Sequence, residues 1–167
     1  MIIRPEQTHD HQDVFNINAA AFDTNAEARL VEALRKDAYP IISLVAEVDH
    51  QVVGHIMFSP VMLNGRTDPQ MIGLAPMSVA THLQRSGIGS ALVREGLKRS
   101  KTHGFVAAVV LGHPTYYPRF GFKPSSAYNL KSEYDVPEDV FMILELQPGV
   151  LQAESGAVQY HKAFSNL

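Results

Sequence analysis

The chain has 167 residues, of which 46% are hydrophobic and 19% are charged, and this composition is ordinary for one folded domain. Its 14 basic and 17 acidic side chains give a formal net charge of −3, which argues against nucleic acid or an anionic membrane as a partner. The absence of cysteine excludes disulfides, thiolate metal sites and covalent acyl-cysteine chemistry.

Expectations about location and metal binding follow from features that the sequence lacks. The first residues show neither the charged nor the apolar region of a signal peptide, and no apolar run approaches the roughly 18 residues of a membrane-spanning helix. We therefore expect a cytoplasmic protein. The eight histidines do not follow the spacing of zinc ligands, so the sequence predicts no metal site.

The beginning of the chain predicts a short strand and two helices. Apolar residues recur at helical spacing over residues 14–22, which indicates the first helix. The run 24–27, Thr-Asn-Ala-Glu, matches a capping box at the start of a second helix, and Pro40 ends that helix. In this interpretation the side chain of Glu27 caps the helix.

The next segment predicts an antiparallel hairpin and a second turn. Residues 41–48 and 51–62 are β-branched runs joined at Asp49-His50, which is a hairpin signal. The pair Asn64-Gly65, together with Asp68-Pro69, marks the next turn. Two antiparallel strands are therefore expected.

A βαβ unit is predicted in the middle of the chain. The strands 71–79 and 105–111 are apolar, and they flank a helix that ends before Gly104. Such a unit pairs its two strands in parallel through a right-handed crossover. Pro76 lies inside the first of these strands and cannot donate to the ladder, so it predicts a bulge or a sheet edge.

The last third of the chain predicts a polar loop, one more strand and a C-terminal extension. The polar insert 124–139 has the character of a substrate-side loop. We divide a single domain, residues 1–167, into a core of residues 1–146 and an extension of residues 147–167. The stretch 156–164 is expected to form an edge strand, which leaves pairing with a second copy as a homodimer open.

The most informative segment is the glycine-rich turn from Gln84 to Ser90. Gly87 and Gly89 let the backbone approach a ligand closely, while the unpaired amides of the first helical turn point outward with the positive end of the helix dipole. Arg85 adds a charge. This pattern is typical of a pyrophosphate site, with an ordinary turn as the alternative, and the sequence lacks the motifs of nucleotide and dinucleotide loops.

Several motifs, in order along the chain, resemble the GNAT superfamily of N-acetyltransferases. The pattern Gln84-x-x-Gly87-x-Gly89 after a strand that ends in Met77-Ser78-Val79 looks like the acyl-coenzyme A signature, and Tyr117-x-x-x-Gly121-Phe122 resembles a later landmark of that superfamily. The run 111–122 and the ending 160–164 further resemble the YhbS-type acetyltransferases. The similarity covers nearly the whole chain.

The resemblance implies an α/β fold of three layers, with a central, mostly antiparallel sheet, a parallel splayed strand pair around the cofactor cleft, and helices on both faces. It implies an enzyme that moves an acetyl group from acetyl-coenzyme A to a primary amine, on a small molecule or a peptide, by direct attack and without a metal. The implied cofactor-binding residues are Ser78, Val79, Gln84, Arg85, Ser86, Gly87, Ile88, Gly89 and Ser90.

The resemblance also assigns an acid, which protonates the departing thiolate, to Tyr117. A phenol serves in this role only where hydrogen bonding and geometry position it. The alternative is a tyrosine that packs in an aromatic cluster with Tyr116, Phe120 and Phe122. Tyr116 is the second candidate for the acid.

The general base is left open, because the strand 71–79, where many relatives carry a glutamate, has no carboxylate. The candidates are Glu27, His113, His55 and Glu47. Each of the first three also has a structural explanation: Glu27 as a helix cap, His113 as a turn residue and His55 as a core residue. In a further alternative, a chain of water molecules removes the proton and no side chain is needed as the base. Two other functions stay open: a catalytically weak coenzyme A-binding or sensing module, and a domain that binds a phosphate ligand.

Overall fold

A mixed sheet of nine strands forms the framework, and three helices pack on it. The computed structural model describes residues 1–167. The helices are α1 (His11–Ala21), α2 (Ala26–Asp37) and α3 (Ile88–Thr102). The strands are β1 (Ile2–Pro5), β2 (Ile42–Val48), β3 (Gln51–Leu63), β4 (Arg66–Val79), β5 (Ala107–Leu111), β6 (Lys123–Pro124), β7 (Leu130–Ser132), β8 (Phe141–Glu145) and β9 (Gly156–Gln159).

The sheet has the order β1-β2-β3-β4-β5-β8-β6, and β9 lies beside the end of β3 with β7 as its other neighbour. Only the pairs β4–β5 and β7–β9 are parallel. The predicted fold class is confirmed: the sheet is mostly antiparallel, a parallel pair lies within it, and helices cover both faces. No helix in the structure is both long and apolar enough to span a membrane.

Two hydrophobic cores lie on opposite faces of the sheet. One contains Val14 of α1 and Leu34 of α2, and we call it the α1–α2 core. The other contains Leu92 of α3, and we call it the α3 core. Neighbouring residues of β5 alternate between them, since Val109 faces the α1–α2 core and Ala108 the α3 core. The central strands are therefore covered on both sides.

Both predicted turns between β2, β3 and β4 involve residues with positive φ. Asp49 and His50 have φ of 50° and 63° and confirm the hairpin. Asn64 and Gly65 make the next turn alone, with φ of 52° and 73°. The prediction that Asp68-Pro69 belongs to this turn is wrong, because both residues lie inside β4, at an irregularity in its pairing with β3.

The strands β4 and β5 separate after a short region of pairing. Their parallel register runs only from Met71↔Ala107 to Gly73↔Val109, although both strands continue beyond it. Pro76 lies in this unpaired part of β4, opposite a register shift in β3. The bulge predicted from this proline is confirmed, and the sheet-edge alternative also holds on one side, because Pro76 lies where β4 has no strand partner toward β5.

The capping box predicted around Glu27 is not formed. The hydroxyl of Thr24 accepts a hydrogen bond from the amide of Ala26 at 3.1 Å, and the helix is preceded by Asn25, whose side chain makes no capping bond. Helix α2 therefore begins later than predicted, which places Glu27 in its second position. The carboxylate of Glu27 is left free for another role.

The strand predicted at the C-terminus forms over Gly156–Gln159, but its predicted place at the sheet edge is wrong. Strand β9 pairs with Met62 and Leu63 of β3 on one side and with β7 on the other. The side chain of Asn64 fixes it there, because it bonds the carbonyl of Ser155 at 2.8 Å and the amide of Ala157 at 2.9 Å. With both edges of β9 occupied, this strand gives no support to pairing with a second copy.

Helix α3 approaches the sheet closely at Gly96. A Cβ atom at this position would overlap the ring of Phe58, which is fully buried on β3. Overpacking a core costs about 1–3 kcal/mol. We expect Gly96→Ala to lower the free energy of unfolding by this amount, measured by urea denaturation. Lys98→Ala, at an exposed position of the same helix, serves as the control, and equal stability of Gly96→Ala and the native chain would contradict the close contact.

Candidate active site

A cleft opens where β4 and β5 separate. It encloses about 620 Å³ and is lined by 15 residues, of which 11 are hydrophobic. Its walls come from both cores, since Tyr117 belongs to the α3 core and Tyr160 to the α1–α2 core. Tyr117, His113 and Glu27 all line this cleft. The structure therefore brings together the three residues that the sequence marks as catalytic candidates.

The glycine-rich turn presents an open helix N-terminus. Gly87 precedes α3 with a φ of 91°, a left-handed conformation that favours glycine, and no side chain caps the helix. The amides of Ile88, Gly89 and Ser90 consequently have no partner within the helix. Exposed Arg85 lies on the same turn. Unpaired amides at the positive end of a helix form a binding site for an anion such as pyrophosphate.

Two side chains of this turn fold back onto the protein. The amide of Gln84 donates to the carbonyl of Val79 at 3.3 Å, which ties the turn to the end of β4. The hydroxyl of Ser86 donates to the carbonyl of Leu83. The two side chains therefore hold the shape of the turn, while its backbone amides are left to face a ligand.

The unpaired part of β4 offers a free backbone edge. Beyond Gly73 it has no strand partner on the β5 side, and this part includes Ser78 and Val79. The side chain of Ser78 is buried and donates to the side-chain oxygen Oδ1 of Asn18 at 3.1 Å, so it faces the core. Any ligand chain that lies along this edge would meet the backbone of β4.

Tyr117 is held rigidly in the cleft wall. Its side chain is 8% exposed, and its ring makes edge contacts with those of Tyr116 and Phe122 at centroid distances of 5.0 and 5.7 Å. A Cβ atom at Gly112 would overlap the ring of Tyr117, so only glycine permits this placement. Burial raises the pKa of Tyr117 to about 12. The phenol is therefore protonated throughout the physiological range.

Tyr116 occupies a different position. Its hydroxyl shares a hydrogen bond of 2.9 Å with that of Ser90, in the first turn of α3, and the guanidinium of Arg119 lies 4.4 Å from its ring centre. Tyr116 does not line the cleft. The structure therefore distinguishes the two tyrosines: Tyr117 faces the gap between the strands, and Tyr116 supports the glycine-rich turn.

The two candidate bases in the cleft come from different elements. Glu27 is half-buried and reaches the cleft from α2, on the face of the α1–α2 core. His113 is exposed and follows the end of β5. The carbonyl of His113 accepts hydrogen bonds from the amides of Tyr116 and Tyr117 at 3.1 and 3.4 Å. The backbone of His113 thus fixes the turn that carries both tyrosines, and its side chain remains free.

His55 and Glu47 lie outside the cleft. Glu47 pairs with Arg4 at 3.1 Å. His55 is fully buried within a chain of hydrogen bonds, of 2.7 to 3.1 Å, that runs from β4 to α2. The side chains in this chain are Ser78, Asn18, His55, Ser43, Glu6 and Arg35. Both residues have structural partners and neither can reach a substrate in the cleft.

The donors in this chain determine the state of the His55 ring. The amide nitrogen of Asn18 donates to the carbonyl of Val14 and to Nδ1 of His55, so Nδ1 is an acceptor. The Nε2 atom is then the donor to Ser43, whose hydroxyl donates to Glu6 at 3.0 Å. Burial lowers the pKa of His55 to about 4. The ring is neutral, and every polar atom of it is satisfied.

The aromatic residues Tyr134, Tyr160 and Phe164 were missed as part of the site. All three line the cleft on the side of the α1–α2 core. Of these segments, only the ending 160–164 was singled out in the sequence, and it indicated a family resemblance rather than a functional site. The contacts that assemble these residues join segments far apart in the chain, so no local pattern predicts them.

Comparison with known proteins agrees with this architecture. An acetyltransferase (GNAT) domain model matches residues 2–125. The uncharacterized N-acetyltransferase YhbS of Escherichia coli K12 is 36% identical over the full length of both chains. The chain belongs to the GNAT acetyltransferase family.

Two solved structures show the same fold. A crystal structure of Escherichia coli YhbS in complex with CoA has a TM-score of 0.92 and 35% identity, and the match covers 98% of this chain and 91% of that one. A GNAT family acetyltransferase from Brucella melitensis in complex with acetyl-CoA has a TM-score of 0.81 and 37% identity, with coverage of 98% and 97%. The family and the acyltransferase class predicted from the sequence are confirmed. No group of three or more candidate metal ligands occurs in the structure.

The low pKa of His55 makes the stability depend on pH. The unfolded chain protonates this ring near its ordinary pKa of 6.5, while the folded chain keeps it neutral down to about 4. We therefore expect the free energy of unfolding to fall as the pH drops from 6.5 to 4, with a slope of up to about 1.4 kcal/mol per pH unit.

Urea denaturation at several pH values measures this slope, which His55→Gln should flatten and the exposed control His82→Gln should not. An NMR titration of the native chain gives a second measurement, in which the His55 ring should not titrate above about pH 5. Titration of that ring near pH 6.5 would contradict the assignment.

Proposed function

We propose that the protein transfers an acetyl group from acetyl-coenzyme A to a primary amine, by direct attack in a ternary complex. One observation carries this proposal: the cleft is lined by residues from both cores, which lie on opposite faces of the sheet. The anion-binding turn lies on the α3 side, and Glu27 lies on the α1–α2 side. Two substrates can therefore meet in the gap without blocking one another.

The residues present fit coenzyme A. The amides of Ile88, Gly89 and Ser90 suit a pyrophosphate, and the free edge of β4 at Ser78 and Val79 suits the amide groups of a pantetheine arm. The complexes of YhbS with CoA and of the Brucella melitensis protein with acetyl-CoA support the same assignment. The absence of cysteine agrees with direct transfer, which needs no acyl-enzyme.

Two protein groups, a base and the Tyr117 hydroxyl, account for the proton transfers of the reaction. A protonated amine gives one proton to a base, and its nitrogen then attacks the thioester carbon to form a tetrahedral oxyanion. When the carbon–sulfur bond breaks, the departing sulfur takes the proton of the Tyr117 hydroxyl. The phenolate recovers a proton, through solvent, from the nitrogen that becomes the amide. The raised pKa of Tyr117 ensures that the donor is protonated before the reaction.

Glu27 is our choice for the base. It reaches the cleft from the face opposite α3, where an amine enters without meeting the bound cofactor. The missing capping box leaves its carboxylate without a structural task. His113 also lines the cleft and is the second candidate. The cytoplasmic location expected from the sequence remains a prediction, and pairing as a homodimer remains open.

Calorimetry and a thiol-release assay test the function. We expect acetyl-coenzyme A and desulfo-coenzyme A to bind and ATP not to bind, and we expect thiol release with a panel of primary amines. Tyr117→Phe should lower kcat by about 10²–10⁴-fold with unchanged affinity for the cofactor. The exposed control Tyr39→Phe should change neither.

The outcomes separate the alternatives. Loss of turnover in Tyr116→Phe, with Tyr117→Phe fully active, would move the acid role to Tyr116. Binding without thiol release for any amine would indicate a sensing module instead of an enzyme. Failure to bind either form of coenzyme A would reject the proposal and favour a domain for another phosphate ligand.

Replacement of Glu27 tests the base. Glu27→Gln should lower kcat/KM by about 10²–10⁴-fold at neutral pH, because an ammonium group then lacks a proton acceptor. Activity should recover as the pH approaches the pKa of the amine itself, since a neutral amine needs no base. His113→Gln is the matched comparison and should keep most activity. The reverse pattern would assign the base to His113.

A further inference from the structure

The α1–α2 side of the cleft is an aromatic wall. The rings of Tyr134 and Tyr160 are stacked with centroids 6.0 Å apart, and the ring of Phe164 lies 5.1 Å from that of Tyr160. All three line the cleft, and they belong to the α1–α2 core or pack against it. This side is opposite the glycine-rich turn, so its occupant would be the acceptor and not the cofactor.

Very few polar groups face this wall. Glu27 is the only acidic residue that lines the cleft, and no lysine or arginine lines it. The hydroxyl of Tyr160 is buried and has no hydrogen-bond partner in the protein, although its side chain is part of the lining. A buried polar group without a partner is unusual in a folded protein.

We infer that the acceptor is a small primary amine that carries an aromatic ring. Its ammonium group would pair with Glu27, and its ring would pack on Tyr134, Tyr160 and Phe164. This inference rests on the proposed function and names its substrate class. An aromatic ring gains most from this wall, because it buries apolar area and finds edge or stacked partners for its π-system.

The shortage of polar side chains in the cleft disfavours two other kinds of amine. A polyamine would bring several positive charges to a cleft with one acidic side chain, and an amino sugar would bring hydroxyl groups to a lining that is mostly hydrophobic. The volume of about 620 Å³ must also hold the acetyl group and the end of the pantetheine arm. It is within the range of sites for small molecules.

The experiment compares phenethylamine, ethanolamine and spermidine. Each is titrated into the protein saturated with coenzyme A, by calorimetry, and each is used as acceptor in the thiol-release assay. We expect kcat/KM for phenethylamine to exceed that for ethanolamine and for spermidine by at least tenfold. We also expect 2-phenylethanol, which keeps the ring and lacks the charge, to bind more weakly than phenethylamine.

Variants assign this preference to the wall. Phe164→Leu keeps an apolar side chain and removes the ring, and it should raise KM for phenethylamine at least fivefold without changing KM for acetyl-coenzyme A or for ethanolamine. Tyr160→Phe keeps the ring and removes the unpartnered hydroxyl. This variant is assayed with an acceptor that carries a polar ring substituent, such as tyramine. Tyr128→Phe, outside the cleft, is the matched control. Glu27→Gln should abolish the preference for phenethylamine over 2-phenylethanol in binding.

Failure of this inference is distinguishable from failure of the proposed function. Equal or faster acetylation of ethanolamine or spermidine would overturn the inference and leave the acetyltransferase function intact. Absence of thiol release with every amine would overturn the function, but binding of phenethylamine that depends on Phe164 and Glu27 would still support the aromatic amine site. Absence of that binding would overturn the inference in either case.

Discussion

The separation of β4 from β5 is the constraint on which the rest of the structure depends. Pairing stops after Gly73↔Val109, and Pro76, which cannot donate to a ladder, lies in the part of β4 that has left β5. A gap in the middle of a sheet joins two cores that the sheet otherwise keeps apart. The cleft therefore has one wall from each core, and the free edge of β4 forms its margin.

Beyond Gly73, β4 has no neighbouring strand on its β5 side, and a chain of buried hydrogen bonds between side chains supports it instead. Ser78 of β4 is bonded to Asn18 of α1, and Asn18 is bonded to His55 of β3. Each group in the chain has a partner, and a single loss would leave a buried donor or acceptor that costs about 1–3 kcal/mol. His55 is therefore explained by the position of β4 and not by proton transfer in the cleft.

Local signals predicted the features that depend on neighbouring residues. The hairpin at Asp49-His50, the bulge at Pro76 and the open turn before α3 each follow from a few adjacent positions. One of the errors concerns contacts between distant segments. The position of β9 depends on the side chain of Asn64, more than ninety residues earlier, and no pattern within β9 reveals it. The first residue of α2 was also predicted wrongly, because a capping pattern locates the start of a helix only to within one or two residues.

The two halves of the cleft are formed by different parts of the chain. The half proposed for the cofactor is formed by one continuous segment, from β4 through the glycine-rich turn to Tyr117, so its motifs can be recognised in order. The half proposed for the acceptor combines α2 with Tyr134, Tyr160 and Phe164. The GNAT domain model ends at residue 125, before this aromatic wall, whereas the match to YhbS spans it. Because the two halves share little chain, substitutions at Tyr134, Tyr160 or Phe164 leave the glycine-rich turn intact, and the aromatic wall proposed for the acceptor lies outside the region that the family model matches.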